Sequence, residues 1–464
     1  MNFIVINGSP KTKSSITLQH MLFLEKKHPQ HKFEFVSIGN KIPVYEKKED
    51  LLDALIEKMH KADAVVWSFP VYYALVPSQL KRFMELLFER CPENGFKGCY
   101  TTSFTTSINF FDHTAHNYMQ GVCENLGFSY IDSYSAHMND FFHSSELEKM
   151  KRFFSWFSES VSQKIPVPRK YSPVIDAAPV YAPDIGTIQQ KAGFPLKSKR
   201  ILLLTDEQES DVNIRNMTQV FCRMAGESVQ KENIHQIGLK NGCLGCCTCG
   251  YDNVCAQKDG FGQFYNTHVK TADVIIIAGS IKDHYLSSQW KKFFDRSFFN
   301  GHAPVLKDKR IGFMISGPLS QIQNLREILE ALAQVWHTKP FGIVTDEQGT
   351  AQQISEQIAA FADNLLLVEK NDLAFGAKFY QVGGSKIFRD FVFSTSAVFR
   401  ADDIFYKKMG LYDTFPQRQL KKRVGNAVFA FFLALKPIRK KIHQKFISGM
   451  VTPYKKVLKK TVHS

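Results

Sequence analysis

The chain has 464 residues, of which 44% are apolar and 13% aromatic, so it can form two to four domains with sizeable cores. Its formal charge of +15 lies wholly in residues 370–464, where 20 Lys and Arg oppose five Asp and Glu, and the rest of the chain is close to neutral. No nucleic-acid-binding motif accompanies this charge, so nucleic acid is not an expected partner. The opening apolar run is too short for a signal peptide and no stretch is long enough to span a bilayer, which predicts a cytoplasmic protein.

Residues 1–160 alternate between strand-like and helix-like segments. The predicted strands are 2–6, 32–37, 64–68, 99–104 and 129–134. The predicted helices between them are 14–27, 51–61, 78–89 and 113–126. This alternation favours a parallel sheet that is covered by helices on both faces.

A loop rich in Ser, Thr and Lys follows the first strand, at residues 8–17. Gly8 permits a sharp turn, and the helix beyond the loop would direct its N–H groups and its positive dipole end at an anion. A simple strand-to-helix turn with good N-cap residues would use the same residue types, so the loop alone leaves both interpretations open. The predicted phosphate contacts are Ser9, Lys11, Ser14, Ser15, Ile16 and Thr17.

A second loop, at residues 69–81, follows the buried strand 64–68 and leads into a helix. Ligands of open parallel sheets bind beyond the carboxyl ends of the strands, so this loop is expected beside the first one. A well-packed aromatic turn is the alternative interpretation. The predicted contacts with a planar ring are Pro70, Val71, Tyr72 and Tyr73.

Together, the two loops resemble those of the NADPH-dependent FMN reductase and flavodoxin-like oxidoreductase family. In that family a Gly-Ser-Pro loop holds the flavin phosphate, and a Ser-Pro-Val-Tyr-Trp segment lies against the isoalloxazine. Phe69 stands at the family's usual Ser and Tyr73 at its usual Trp. A third family loop, Thr-Thr-Ser, corresponds either to residues 101–103 or to residues 105–107. The resemblance implies bound FMN, with NAD(P)H as co-substrate.

The strand and helix pattern restarts after a segment that contains six prolines, and residues 289–296 resemble residues 79–85. We therefore predict two tandem flavodoxin-like, doubly wound α/β domains followed by a basic, mainly helical C-terminal region. Prolines at this density predict a linker between the two domains. The predicted boundaries are 1–160 for the FMN-binding domain, 161–198 for the linker, 199–368 for the second domain and 369–464 for the basic region.

Five of the nine cysteines fall between Cys243 and Cys255, which suggests metal or redox chemistry rather than a disulfide framework. A C-x2-C-x2-C-x5-C spacing can present several thiolates to one cubane cluster. The spacing resembles that of the iron–sulfur flavoproteins, a branch of the same family, and so implies a [4Fe–4S] cluster. Redox-active thiols and zinc are the alternatives, and Cys247 has no assigned role. The implied ligands are Cys243, Cys246, Cys249 and Cys255.

Residues 205–211 are the second domain's counterpart of the phosphate loop. They carry four carboxylates, which would repel a phosphate dianion. FMN is therefore expected in the first domain and the cysteine site in the second. One interpretation is a covalent pseudo-dimer that places the cysteines against the flavin, and the alternative is a second domain kept as a packing partner.

The basic region contains an apolar run of 12 residues, 424–435, between clusters of Lys and Arg. Such a helix is too short to span a bilayer. It either lies in an anionic membrane interface or packs on the protein and leaves its lysines in solvent. One helical stripe contains Leu420, Val424, Ala427, Val428, Phe431 and Leu435.

The favoured function is that of an FMN-dependent NAD(P)H oxidoreductase that transfers electrons through the flavin. The protein would position the cofactor and tune its electrostatics, and no acid or base is nominated. One alternative is an iron–sulfur flavoprotein that carries electrons from a ferredoxin-like donor. Another is a non-enzymatic redox sensor or a membrane-associated binding module.

Overall fold

A computed structural model describes residues 1–175, 178–194, 196, 199–413 and 420–461, so parts of the predicted linker and of the basic region lie outside the described residues. The chain divides into two compact units. The first unit comprises Met1–Pro173, Gly242–Cys247 and Val424–Ser464, and the second comprises Val174–Asn241 and Thr248–Arg423.

The first unit contains a five-stranded parallel sheet in the order β2-β1-β3-β4-β5. Its strands are β1 (Asn2–Asn7), β2 (Lys32–Ser37), β3 (Ala64–Pro70), β4 (Tyr100–Ser107) and β5 (Ser129–His137). Its connecting helices are α1 (Ile16–Lys27), α2 (Ile42–Tyr45), α3 (Glu49–Lys61), α4 (Ser78–Arg90), α5 (Asp112–Asn125) and α6 (Ser144–Ser162). Each strand and helix that the sequence predicts in residues 1–160 agrees with an observed element to within three residues at either end.

The core of this unit follows from the residue pattern of its strands. Phe3 and Val5 point to one face of β1 and are buried with Val66 of β3, while Met21 of α1 and Phe154 of α6 close over them. Because the sheet is covered on both faces, β1 and β3 are almost continuously apolar, whereas β4 buries Thr and Ser side chains. This burial fixes the register of the parallel strands and so aligns their carboxyl ends along one edge.

The second unit repeats the architecture, with a five-stranded parallel sheet in the order β10-β9-β8-β6-β7. Its strands are β6 (Ile201–Thr205), β7 (Val229–Asn233), β8 (Val274–Ser280), β9 (Arg310–Ser316) and β10 (Lys339–Thr345). Its helices are α7 (Val212–Ala225), α8 (Cys249–Asp252), α9 (Phe261–Phe264), α10 (Ser288–Ser297), α11 (Gln323–Val335), α12 (Ala351–Lys370), α13 (Phe379–Thr395) and α14 (Arg400–Lys408). In chain order both sheets read 2-1-3-4-5, the flavodoxin arrangement, and the predicted fold class is confirmed.

Part of the Pro-rich segment packs onto the second sheet. Tyr181 is fully buried and Phe194 nearly so, both in the core of the second unit. The Tyr181 hydroxyl lies 2.8 Å from the Ser355 hydroxyl of α12. These contacts attach residues beyond Val174 to the second unit.

The C-terminal region is helical, as the sequence predicts, and contains α15 (Leu420–Ala434) and α16 (Lys436–Thr461). Pro437 stands in the first turn of α16, where its missing N–H group costs no helical hydrogen bond. The second half of α16 packs on the first sheet's helices, where Tyr454 and Leu458 are buried. Among the helices of the described residues, none has the length and apolar character needed to cross a bilayer.

Candidate functional site

The predicted phosphate loop leaves β1 at the carboxyl edge of the first sheet. Gly8 donates its N–H to the Ser68 carbonyl at 2.9 Å, and a Cβ on Gly8 would lie 2.8 Å from Leu80. The close approach of α4 therefore requires glycine here. Ser9 is buried, and its hydroxyl accepts the N–H of Lys11 at 3.3 Å. The loop is held by its own hydrogen bonds.

The loop ends at the N-terminus of α1. Ser15 is the N-cap, and its hydroxyl accepts the Leu18 N–H at 3.3 Å. The following N–H groups of Ile16 and Thr17 belong to the first turn, where a helix leaves donors without intrahelical partners. Lys11 and Ser14 are half-buried beside this turn. All six predicted phosphate contacts therefore lie in one continuous loop and helix start, which is an arrangement suited to an anion.

The aromatic loop follows β3, the neighbour of β1 in the sheet. Tyr72 and Leu75 exchange two backbone hydrogen bonds, which close a tight turn. Tyr73 and Ala74 have φ values of +42° and +61°, a strained region for residues with a side chain. The Thr114 hydroxyl holds the turn by donating to the Ala74 carbonyl at 2.6 Å. Tyr72 and Tyr73 are half-buried, as side chains at the rim of a binding cleft would be.

The end of β4 forms a third segment of the site. Its position decides which of the two Thr-Thr-Ser runs corresponds to the third loop. Thr101–Ser103 lies inside the strand, with its side chains buried. Thr106 lies at the carboxyl end, where its hydroxyl contacts that of Thr17 and its carbonyl accepts the Val71 N–H at 3.3 Å. Thr105–Ser107 therefore joins the phosphate and aromatic loops.

The cysteine segment Gly242–Cys247 belongs to the first unit. The amide of Gln79, at the start of α4, donates to the Cys243 carbonyl at 3.4 Å. A Cβ on Gly245 would lie 2.0 Å from the Tyr72 hydroxyl and 2.8 Å from the Lys11 side chain. Residues that are some 170 positions apart in sequence are thus in contact at the two predicted flavin loops.

Cys249 contacts a histidine that no sequence motif predicts. Its Sγ lies 3.2 Å from Nε2 of His302, whose Nδ1 lies 2.8 Å from the Asp402 carboxylate. His302 is 2% exposed and Asp402 6%, so the imidazole and the carboxylate are shielded from solvent, while Cys249 is half-buried. No local motif marks His302 or Asp402, which follow Cys249 by 53 and 153 positions.

Of the four predicted cluster ligands, Cys243 and Cys246 belong to the first unit and Cys249 and Cys255 to the second. Cys249 contacts His302. Within the part of the chain that the structure describes, no group of three or more His, Cys, Asp or Glu side chains is placed to hold a metal ion.

In the second unit's counterpart of the phosphate loop, three of the four carboxylates have partners within the same unit. Glu207 accepts Lys231 at 2.7 Å, and Asp211 accepts Lys282 at 2.6 Å. Asp206 is 3% exposed and accepts the Ser287 hydroxyl. Internal pairs thus occupy the place at which the first unit presents hydroxyls and a helix N-terminus.

Asp206 gives this loop a measurable pH dependence. Burial raises the pKa of Asp206 from 3.8 to about 7, against the lowering effects of the Ser287 hydroxyl and Lys282. The folded chain then holds a proton that the unfolded chain releases, so this contribution to the free energy of unfolding falls as the pH rises from about 4 to about 7. Asp206→Asn is expected to remove that part of the pH dependence in urea unfolding. Equal pH profiles for variant and wild type would contradict the assignment.

A glycine pair tests the contact between the cysteine segment and the flavin loops. Gly245 and Gly260 both have positive φ, +64° and +89°, but a Cβ on Gly260 meets nothing within 4 Å. Gly245→Ala should displace Tyr72 or Lys11 and change FMN affinity several-fold, whereas Gly260→Ala carries only the backbone strain. Flavin fluorescence titration of both variants measures the difference, and equal affinities would show that the contact does not affect the site.

Comparison with known proteins confirms the resemblance predicted for the first part of the chain. Residues 1–142 match the family NADPH-dependent FMN reductase. An iron–sulfur flavoprotein from Archaeoglobus fulgidus is 26% identical over 160 residues, which are 32% of this chain and 72% of that protein.

Two solved structures align with part of the chain. An FMN-dependent NADH-azoreductase from Bacillus anthracis, in complex with FMN, is 16% identical with a TM-score of 0.27, over 35% of this chain and 98% of that one. A flavodoxin, WrbA-like protein from Agrobacterium tumefaciens is 15% identical with a TM-score of 0.26, over 36% of this chain and 97% of that one.

Proposed function

From the match of residues 1–142 to the NADPH-dependent FMN reductases, we propose that the chain is an FMN-dependent NAD(P)H oxidoreductase of the cytoplasm. The proposal rests on one observation: three loops meet at the carboxyl edge of one parallel sheet. The hydroxyl-rich loop of Ser9–Thr17, the turn of Tyr72–Leu75 and the end of β4 are joined there by hydrogen bonds. Such an edge is where open α/β sheets bind nucleotides.

In this proposal the loop hydroxyls and the first N–H groups of α1 hold the phosphate, with Lys11 adding positive charge. Val71, Tyr72 and Tyr73 orient the ring, and Pro70 ends the strand beneath it. Bound FMN would supply two-electron chemistry between a nicotinamide and an acceptor. The protein's part is to position the two reactants, which is why no acid or base is assigned.

The test is spectroscopic. Protein purified without oxygen is expected to show the two visible flavin bands, and NADPH or NADH should bleach them within seconds. A flavin that binds but is not reduced by either nicotinamide would reject the enzyme and leave a carrier or a redox sensor. A chain that binds no FMN at micromolar concentration would reject the site itself.

A second candidate is an iron–sulfur flavoprotein that takes electrons from a ferredoxin-like donor. The position of Gly242–Cys247 against Tyr72 and Lys11 supports it, because a redox centre in this segment would lie beside the proposed ring. A cluster would be held by the thiolates of Cys243, Cys246, Cys249 and Cys255, and when bound it would supply one-electron chemistry.

Metal analysis separates this candidate from the alternatives at the cysteines. Four irons and four sulfides per chain in protein purified without oxygen would establish the cluster, and loss of the iron in Cys243→Ser and Cys246→Ser would identify ligands. One zinc per chain would assign zinc instead. A metal-free protein that keeps its flavin would favour the remaining alternative, in which the cysteines act as thiols without a metal.

The acidic loop of the second unit supports a pseudo-dimer with one flavin. Asp206, Glu207 and Asp211 are paired within the second unit, and we propose that this loop binds no FMN. A flavin-to-chain ratio near one in the purified protein is expected. A ratio of two would require the second loop to open its ion pairs and would overturn this part of the proposal.

A further inference from the structure

Helix α15 directs its apolar stripe outward. Val424, Val428 and Phe431 stand on one face at i, i+4 and i+7, and they are 65%, 56% and 71% exposed. Leu433, on the opposite side of the helix, is fully buried. An ordinary surface helix shows the reverse orientation, with its apolar stripe toward the core. A contiguous exposed stripe of this kind indicates an interaction surface.

The sequence around the stripe is strongly basic. Residues 414–464 contain 13 Lys and Arg and no Asp or Glu. Lys421 and Lys422 stand before the stripe and Lys436 follows it, so positive charge lies at both ends of the helix. A partner for this face must therefore accept apolar side chains and carry negative charge.

The first half of α16 adds a groove of the same character. Its lining residues include the half-buried Ile442 and Phe446 and the exposed Lys441 and Lys445. One helix therefore supplies both the apolar surface and the positive charge, as α15 does.

This surface is attached to the folded first unit. In the second half of α16, the Tyr454 hydroxyl donates to the Met138 carbonyl, and the Leu458 carbonyl accepts the Lys26 ammonium at 3.1 Å. Tyr454 packs against Phe141 and Phe142 with ring centroids 5.2 Å and 4.8 Å apart. The helix is therefore docked at one half and exposes apolar groups at the other.

We propose that α15 and the first half of α16 form a docking surface for an anionic lipid bilayer. The interface of a bilayer accepts the apolar side chains at the level of the acyl chains while its headgroups meet Lys and Arg. Nucleic acid would match the charge but would leave the Phe and Val stripe in water. At 15 residues, α15 lies on a membrane and does not span it. The proposal is independent of the flavin site.

Sedimentation of the full chain with vesicles tests the charge dependence. Binding is expected to vesicles of about 70% phosphatidylcholine and 30% phosphatidylserine, with much weaker binding to phosphatidylcholine alone. Added salt should weaken binding because it screens the lysines. Equal binding to both vesicle types, or none to either, would overturn the proposal.

A matched pair of variants tests the stripe itself. The triple variant Val424→Gln, Val428→Gln and Phe431→Gln is expected to lower partitioning onto anionic vesicles by about tenfold or more. The control variant Ile175→Gln, Val180→Gln and Phe379→Gln changes side chains that are 65%, 78% and 79% exposed elsewhere, and it should bind as wild type.

Two further results decide the outcome. Both variants should keep the wild-type melting temperature, since the substituted side chains are exposed in the folded protein, and a folded stripe variant that binds vesicles as tightly as wild type would reject the surface. Tighter binding to an RNA oligonucleotide than to vesicles, unchanged by the stripe variant, would assign the charge to nucleic acid instead and overturn the proposal.

Discussion

Ser15→Asp is expected to weaken FMN binding by about 100-fold or more while leaving the fold intact. Aspartate is as good an N-cap as serine, so the bond to the Leu18 N–H is kept. The new carboxylate would lie beside the proposed phosphate, and two unit charges about 5 Å apart repel by about 3 kcal/mol at an effective dielectric constant of 20. Quenching of flavin fluorescence during titration measures the dissociation constant.

Two controls separate charge from shape. Ser15→Asn has the size and capping ability of Asp without the charge, so it should bind FMN far more tightly than Ser15→Asp. Riboflavin lacks the phosphate and should bind both variants with similar affinity. If Asp and Asn variants bind FMN equally, the phosphate does not lie at the N-terminus of α1 and the assignment of this loop is wrong.

The sequence was sufficient for the positions of the first unit's elements because apolar runs and loop residues mark them locally. Ser15 as the N-cap and the tight turn after β3 follow from residue type and spacing. The choice between residues 101–103 and 105–107 required the observed end of β4, since a repeated Thr-Thr-Ser run carries no information about which copy leaves the sheet.

Contacts between residues that are far apart in the chain could not be predicted from the sequence. The pairing of Cys249 with His302 joins segments separated by 53 residues, and no periodicity connects them. Gly245 shows the same limit, because its contact with Tyr72 depends on tertiary packing. For α15 the apolar stripe was evident in the sequence, but whether it faces protein or solvent depends on packing that an amphipathic pattern does not specify.

Each unit has an ion pair with a buried lysine on the helix that follows its third strand in chain order. Lys81 and Glu85 on α4 lie 2.7 Å apart, with the Lys81 side chain fully buried. Lys291 and Asp295 on α10, at the matching positions, form a pair in which both side chains are 0% exposed. The i, i+4 spacing places both charges on the helix face that packs inward. Its recurrence supports the interpretation of the chain as a duplicated α/β unit.

Asp295→Ala is expected to lower the stability of the second unit by about 3–5 kcal/mol, because the Lys291 ammonium would remain buried without its carboxylate. Lys291→Met combined with Asp295→Leu should recover much of this loss, since an apolar pair of similar volume carries no desolvation cost. Glu57→Ala is the control, because Glu57 and Lys61 form an exposed pair with the same spacing, 65% and 71% exposed, and an ion pair in solvent contributes little to stability.

Hydrogen exchange is the appropriate measurement because the chain has two units and a single unfolding midpoint would mix them. In Asp295→Ala, peptides from β6, β8 and β9 should lose protection, while peptides from β1 and β3 act as an internal reference. Equal loss in both sheets would mean that the units unfold together. If the single variant is as stable as the Met and Leu double variant, the buried ammonium finds another partner or loses its proton, and the ion pair does not stabilise this helix.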